Sequence, residues 1–283
     1  MNERLLTTAH LVEFRQFLLE DEKSEATIEK YMRDAGTFLS FAGQRAVTKE
    51  LVMAFKQELI MGGKYTVGSI NSMLSSVRSL LGFLHWDDCC VKAIRIQRQI
   101  YCAREKELTK EEYLRLLDAA KGQRRLWLLL QTICSTGIRV SELKYFTVKA
   151  VCRGEISVHC KNKTRTILIP GKLQKLLLEY CREAQIENGV IFRTRSGKPL
   201  DRSNIWAMMK RLCTRARVAA SKVFPHNLRK LFARTFYQAK HDIATLADVL
   251  GHTNINTTRI YIMATRREHQ AKIDNMDLVI DAS

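Results

Sequence analysis

Four stripes of apolar residues at helical spacing fill the first 90 positions and confine that part of the chain to a helical bundle. Leu11, Phe14, Phe17 and Leu18 form the first, and Ile28, Tyr31, Ala35, Phe38, Leu39 and Ala42 the second. Thr48 opens a third, carrying Leu51, Val52, Phe55 and Leu59, which Gly62-Gly63 stops. The fourth runs from about Thr66 to His85 with Ile70, Met73, Leu74, Val77, Leu80, Leu81 and Leu84 inward. One apolar stripe must be buried against another, so four in succession pack together. The aromatic residues on them read as core rather than as platforms for stacked bases.

The pattern then changes. Residues 92–106, KAIRIQRQIYCAREK, hold many cations and little periodicity, as in an exposed linker. Such a segment suits either a phosphate backbone or plain solvent. Thr109-Lys-Glu-Glu112 is a capping box that opens a second domain. There Leu126 to Ile133 is apolar all round, the mark of a buried helix, and Ser135-Thr136-Gly137 ends it before a new helix over Val140 to Phe146. Residues 155–170, EISVHCKNKTRTILIP, alternate β-branched and polar positions around a polar tip, as a β-hairpin does. Helices are predicted at about 171–185, 202–218, 226–239 and 242–250, the last ended by Gly251. The expected fold is mainly α with a small β-sheet: a helical domain over 1–92, a basic linker over 93–107, and a mixed α+β domain over 108–283.

The net charge of +18 is unevenly placed. Residues 1–90 hold 10 Lys+Arg against 12 Asp+Glu, leaving 37 against 17 for the remainder. Cations in such excess lack acidic partners on their own surface, and a nucleic acid is the natural counter-charge; a ribosomal partner or simple solubility is the alternative. The eight Cys include no C-x-x-C pair, so neither a disulfide framework nor a zinc site is expected. No apolar run reaches the roughly 18 residues of a membrane span, and the opening MNERLLTTAH has no apolar signal segment. These features lead to the expectation of a cytoplasmic, nucleoid-associated protein without a membrane partner.

Three fragments carry the chemistry. In STGIRVSEL, Arg139 follows a Gly turn at the start of a helix, where a cation is out of place unless an anion balances it; Glu142, three residues on, offers a local ion pair as the alternative. In Pro225-His226-Asn227-Leu228-Arg229, the His and Arg share one face of a first helical turn, so an imidazole stands beside a permanent guanidinium. The third is Leu250-Gly251-His252 followed by Thr257-Thr258-Arg259-Ile260-Tyr261. A lone Tyr in a helix is usually packing. The case rests on all three occurring in this order.

Together they resemble the tyrosine recombinase, or phage integrase, family, most closely its short Xer-like members. TGIRVSEL is similar to the family's T-G-x-R-x-x-E-L, PHNLR to its H-x-L-R, LGH to its L-G-H, and TTRIY to its T-x-x-Y, with nine positions from His252 to Tyr261. The resemblance implies a SAM-like core-binding domain and a catalytic domain that form a C-shaped clamp on double-stranded DNA. It also implies a homo-tetramer at specific recombination sites, with accessory DNA-bending or directionality factors as further partners.

The resemblance also implies roles. Arg139 and Arg229 hold the non-bridging oxygens of the scissile phosphate, and His252 adds a hydrogen bond. Tyr261 attacks phosphorus to give a 3′-phosphotyrosyl bond, with His226 as base. A hairpin lysine protonates the leaving oxygen, and Glu142 helps orient the site. No metal, nucleotide or other cofactor is called for. The family's hairpin often reads G-K-G-N-K-x-R, whereas this one, C-K-N-K-T-R, is one residue shorter; Lys161 is the better match and Lys163 competes with it. Lys230 stands where relatives often have His. The tail, with Met276, Leu278, Val279 and Ile280, is expected to dock on a neighbouring subunit or to fold back on its own domain. The alternatives are a non-cleaving DNA-binding regulator of the same fold and a type IB topoisomerase.

Overall fold

A computed structural model describes residues 4–95, 107–160 and 163–263, together with 270, 274 and 275. The chain divides into two compact units, Met1–Arg98 and Gln99–Ser283. Lys161, most of the linker expected at 93–107 and most of the tail lie outside the described residues.

The first unit is built from α1 (Thr8–Glu20), α2 (Glu25–Ala42), α3 (Lys49–Met61) and α4 (Val67–Phe83). Thr7, Thr48 and Thr66 cap α1, α3 and α4 by accepting a backbone N–H three residues on, which satisfies one of each helix's orphan donors. The predicted stripes supply the core: Phe14, Leu18, Ile28, Phe38, Phe55, Leu80 and Leu81 are buried. Phe17 departs from its stripe. It is 38% exposed and lies against Phe83, with 5.1 Å between ring centroids. Asp34 is buried between α2 and α4, where Lys30 and Ser76 both donate to its carboxylate, so the charge is paired. After α4 the chain still belongs to this unit: the Asn71 side chain accepts from the Ile94 N–H and donates to its carbonyl, at 2.8 and 2.9 Å.

The second unit is mostly helical with one small sheet. α5 (Lys110–Ala119) opens on the predicted capping box, and α6 (Arg124–Thr136) is the buried helix, with Leu126, Leu128, Leu129, Leu130 and Ile133 all inaccessible to solvent. Gly137 ends α6 in the left-handed conformation. Val140–Tyr145 is a 3₁₀ helix rather than an α-helix, six residues long where such runs are usually three or four. α7 (Val148–Arg153) was not expected; it is too short for periodicity to register and is marked only by its caps, Thr147 and Gly154. Strands β1 (Glu155–Cys160) and β2 (Lys163–Leu168) pair antiparallel in the register Ile156↔Ile167 and Val158↔Arg165.

α8 (Gly171–Glu183) follows. The helix expected over 202–218 is two, α9 (Arg202–Lys210) and α10 (Cys213–Ala216). Ile205, Met209, Leu212, Cys213 and Ala216 are all buried and keep helical spacing across the break, so periodicity cannot see it. α11 (Pro225–Lys240), α12 (Ile243–Leu250) and α13 (Ile255–Arg259) complete the unit. α11 packs on α6, and Glu107, buried just before α5, pairs with Lys230 and Arg234 on α11. Among the described residues no helix is long and apolar enough to cross a membrane.

Candidate active site

The site forms where α6, the hairpin, α11 and α12 meet. Pro225 starts α11 with its ring in place of an N–H that would have no partner, so His226 and Arg229 both fall on the first turn, Arg229 buried and His226 exposed. Arg229 is 1% exposed. One of its terminal nitrogens donates to the carbonyl of Gly137 and the other to that of Leu250. The latter also lies 2.9 Å from His252 Nε2. Gly137 has no room for a side chain, since a Cβ there would lie 2.3 Å from the Phe232 ring. The turn that carries Arg139 is thereby pressed against α11.

Arg139 precedes the 3₁₀ helix, and its side chain is 41% exposed. The ion pair read from sequence is present: Arg139 Nη1 lies 3.2 Å from Glu142 Oε1, while the Arg139 backbone N–H donates to Oε2 at 2.7 Å. A second guanidinium shares that carboxylate. Arg165, on β2, donates to Glu142 Oε2 through Nη2 and to the Val249 carbonyl at 2.6 Å through Nη1.

Three arginines from three separate segments therefore cap one helix end. Arg165 takes the carbonyl of Val249, Arg229 that of Leu250, and Arg139 that of Gly251, the last at 3.3 Å. The last carbonyls of an α-helix lack intrahelical partners and carry its negative pole, so the end of α12 is a natural counter-charge for clustered cations. Gly251 makes this possible in a second way. Its φ of +63° turns the chain out of the helix, and a Cβ there would lie 2.4 Å from Arg165 Cδ.

His252 leaves this turn and is held at its far nitrogen by Thr258, a fully buried residue of α13 whose Oγ1 lies 2.8 Å from Nδ1. Tyr261 follows just beyond the end of α13, in a turn, and is 7% exposed. Its ring stands edge-on to those of His226 and His252, each with centroids 5.2 Å apart. The Arg229 guanidinium carbon lies 5.9 Å from the Tyr261 centroid.

The electrostatics follow from burial among cations. Burial, then Lys230, Arg229, Arg202 and Arg139, lower the pKa of His226. Burial, then Arg229, Arg139, Arg165 and His226, push His252 down to about 4. Arg229 is brought down to about 10, mainly by burial and then by Arg139, and stays cationic at neutral pH. Two neutral imidazoles beside a group of guanidiniums make a proton acceptor next to an anion site.

The structure thus gathers Arg139, His226, Arg229, His252 and Tyr261, while Lys161 falls outside the described residues and Lys163 is placed by its backbone pairing with Cys160. An open cleft beside these residues is also lined by Lys144, Arg202 and Trp206. Sequence reading singles out the hairpin lysines but gives no role to Arg165, the last residue of C-K-N-K-T-R, or to Thr258, the first of T-x-x-Y. Among the described residues no cluster of three His, Cys, Asp or Glu side chains could hold a metal ion.

The chain is similar to known proteins in sequence and in fold. The profile of the phage integrase family matches residues 106–268, and that of the phage integrase N-terminal SAM-like domain matches residues 11–88. The tyrosine recombinase XerA of Pyrococcus furiosus is 28% identical, over 99% of this chain and 98% of that protein. The tyrosine recombinase XerD of Halalkalibacterium halodurans is 26% identical, over 89% and 93%. In fold, the chain is similar to a lambda integrase dimer bound to a core site, with a TM-score of 0.73 at 18% identity over 98% of each chain. It is also similar to the XerH recombinase in a post-cleavage complex, at 0.70 and 20% over 97% of this chain and 91% of that one. The chain belongs to the phage integrase family and is a tyrosine-type site-specific DNA recombinase.

Proposed function

We propose that this recombinase cuts and rejoins double-stranded DNA through a 3′-phosphotyrosyl bond on Tyr261. The observation that carries the reading is the setting of that phenol: edge-on to two imidazoles and beside the buried Arg229 guanidinium. A phenol with an ordinary pKa near 10 is a weak nucleophile at neutral pH and needs such a setting.

In this reading Arg139 and Arg229 exchange their carbonyl partners for the non-bridging oxygens of the scissile phosphate, where charge grows in the transition state. His226, neutral at pH 7, takes the phenol proton as the tyrosyl oxygen bonds to phosphorus. The bond to the 5′ oxygen breaks, and a hairpin lysine, Lys161 or Lys163, supplies that oxygen with a proton. Once Arg229 turns to phosphate, His252 Nε2 is free to carry a proton and donate it to the same phosphate. Thr258 permits this because its hydroxyl can either accept from Nδ1 or donate to it. The phosphotyrosyl ester keeps the bond energy, and attack by a free 5′-hydroxyl of the exchanging strand reverses every step.

The remaining assignments are proposals of the same kind. The N-terminal helical domain, residues 1–92, and the catalytic domain, 108–283, both contact DNA, with the basic segment 93–107 along the backbone between them. Four copies assemble on two recombination sites, in the cytoplasm at the nucleoid, and accessory DNA-bending proteins set the direction of exchange.

The test is covalent capture. The protein is incubated with a random-sequence pool of nicked duplexes, and detergent-resistant protein–DNA adducts are recovered and sequenced. Wild-type protein is expected to yield adducts enriched in one sequence. Tyr261→Phe is expected to yield none while still binding the selected duplex in a gel-shift assay. Binding without adducts for wild-type protein would mark a non-cleaving DNA-binding regulator of the same fold.

A further inference from the structure

Glu142 is buried and serves two guanidiniums unequally. Arg165 makes the close contact to Oε2, is 15% exposed in its side chain, and spends its other terminal nitrogen on Val249 at 2.6 Å. Arg139 reaches Oε1 at 3.2 Å and the Gly251 carbonyl at 3.3 Å, both long, and its side chain is 41% exposed. The first arginine is locked in place and the second is loosely held.

We propose that Arg165 is a positioning residue for strand cleavage: by saturating Glu142 and the end of α12, it keeps the Arg139 guanidinium free for the scissile phosphate. The proposal rests on the reading of the site given above. Its physical basis is the cost of an under-compensated buried carboxylate: without Arg165, Glu142 keeps only the Arg139 backbone N–H at 2.7 Å and the long contact of the Arg139 guanidinium at 3.2 Å. Without Arg165, the nearest cation to Glu142 is Arg139, three residues away on the same turn. The carboxylate would then draw Arg139 into a two-pronged pair, away from the phosphate. The seat for Arg165 is shaped for it, since Gly251 leaves bare backbone where any Cβ would strike the arginine stem.

A purely structural Arg165 and one that frees Arg139 give different results. The duplex selected with wild-type protein is prepared twice, once with the natural scissile phosphodiester and once with a methylphosphonate, which lacks the anionic oxygen that Arg139 would hold. Single-turnover adduct formation is measured at saturating protein. Arg165→Ala is expected to slow cleavage of the phosphodiester about 100-fold, the order of losing one preorganised donor. On the methylphosphonate it should lose less than about threefold relative to wild type, since that substrate asks little of the missing interaction.

Adding Glu142→Gln to Arg165→Ala is expected to recover at least about tenfold on the phosphodiester, because a neutral amide no longer draws Arg139 in. Equal losses on both duplexes, or no recovery in the double variant, would overturn the proposal. If Arg165→Ala does not fold, Arg165→Met, which fills the same seat without a charge, carries the same comparison. If wild-type protein forms no adduct with any duplex, the role given to Tyr261 fails, and this proposal with it.

Discussion

Arg229 Nη2 lies 2.9 Å from His252 Nε2, and this contact decides where the imidazole proton sits. A guanidinium can only donate, so Nε2 accepts and the proton belongs to Nδ1, which donates to Thr258 Oγ1 at 2.8 Å. The resting site is therefore a chain of donors running from a permanent cation through a neutral ring to a buried hydroxyl.

Stability should follow the two histidines with pH. In the unfolded chain both titrate near 6.5, whereas in the folded chain both are lowered, His252 to about 4. Below 6.5 the unfolded chain binds protons that the native state refuses, so the stability they contribute is whole above 6.5 and is lost as pH falls from there toward 4. Urea midpoints at pH 7.5, 6.0 and 5.0 should decline, and His252→Gln should flatten the decline. A midpoint that rises toward pH 5 would contradict this.

Thr258→Val keeps the side chain's shape and removes the acceptor for His252 Nδ1. An unsatisfied buried donor costs about 1–3 kcal/mol, which denaturant unfolding can measure. Adduct formation should also slow about tenfold as the ring loses its anchor. Thr258→Ser should restore both, and a Val variant as active as wild type would show that the ring is held by other groups.

Gly137→Ala should be among the more damaging single-methyl additions. Its φ of +62° resists a Cβ, and the added carbon would meet the Phe232 ring at 2.3 Å. The two effects together are expected to cost about 2–4 kcal/mol. The loss should appear as a lowered thermal midpoint, with weaker cleavage because the Gly137 carbonyl also receives Arg229. An unchanged midpoint would mean that α11 shifts freely.

Binding to a non-specific duplex should weaken steeply with salt, because the cationic excess lies almost wholly beyond residue 90. If about six or more phosphates are neutralised, log K should fall against log salt with a slope near −5 or steeper. Fluorescence anisotropy between 50 and 300 mM salt, as rough working limits, reads this directly. A shallow slope would assign the charge to solubility.

The parts of the fold carried by long stripes were legible in the sequence: α1 to α4, the capping box at Thr109 and the all-apolar α6 each have a local cause. α7 was too short for its pattern to register, and the break between α9 and α10 kept the spacing that would have revealed it. At the site, motif order picked out Arg139, His226, Arg229, His252 and Tyr261. Arg165 and Thr258 stand inside the quoted motifs without a role, because their contacts, to Glu142, to Val249 and to His252, depend on where other segments end up in space. No period or cap in the chain encodes such contacts.

The end of α12 gives each arginine a placeholder before any substrate arrives. Dissolved inorganic phosphate must then compete with amide oxygens already in position, and it has only one small ion's binding energy with which to do so. A phosphate presented by a duplex arrives with the attraction of the whole basic surface behind it. The enzyme should accordingly tolerate millimolar phosphate buffers while idle, and open its grip only for a backbone that is already anchored on either side.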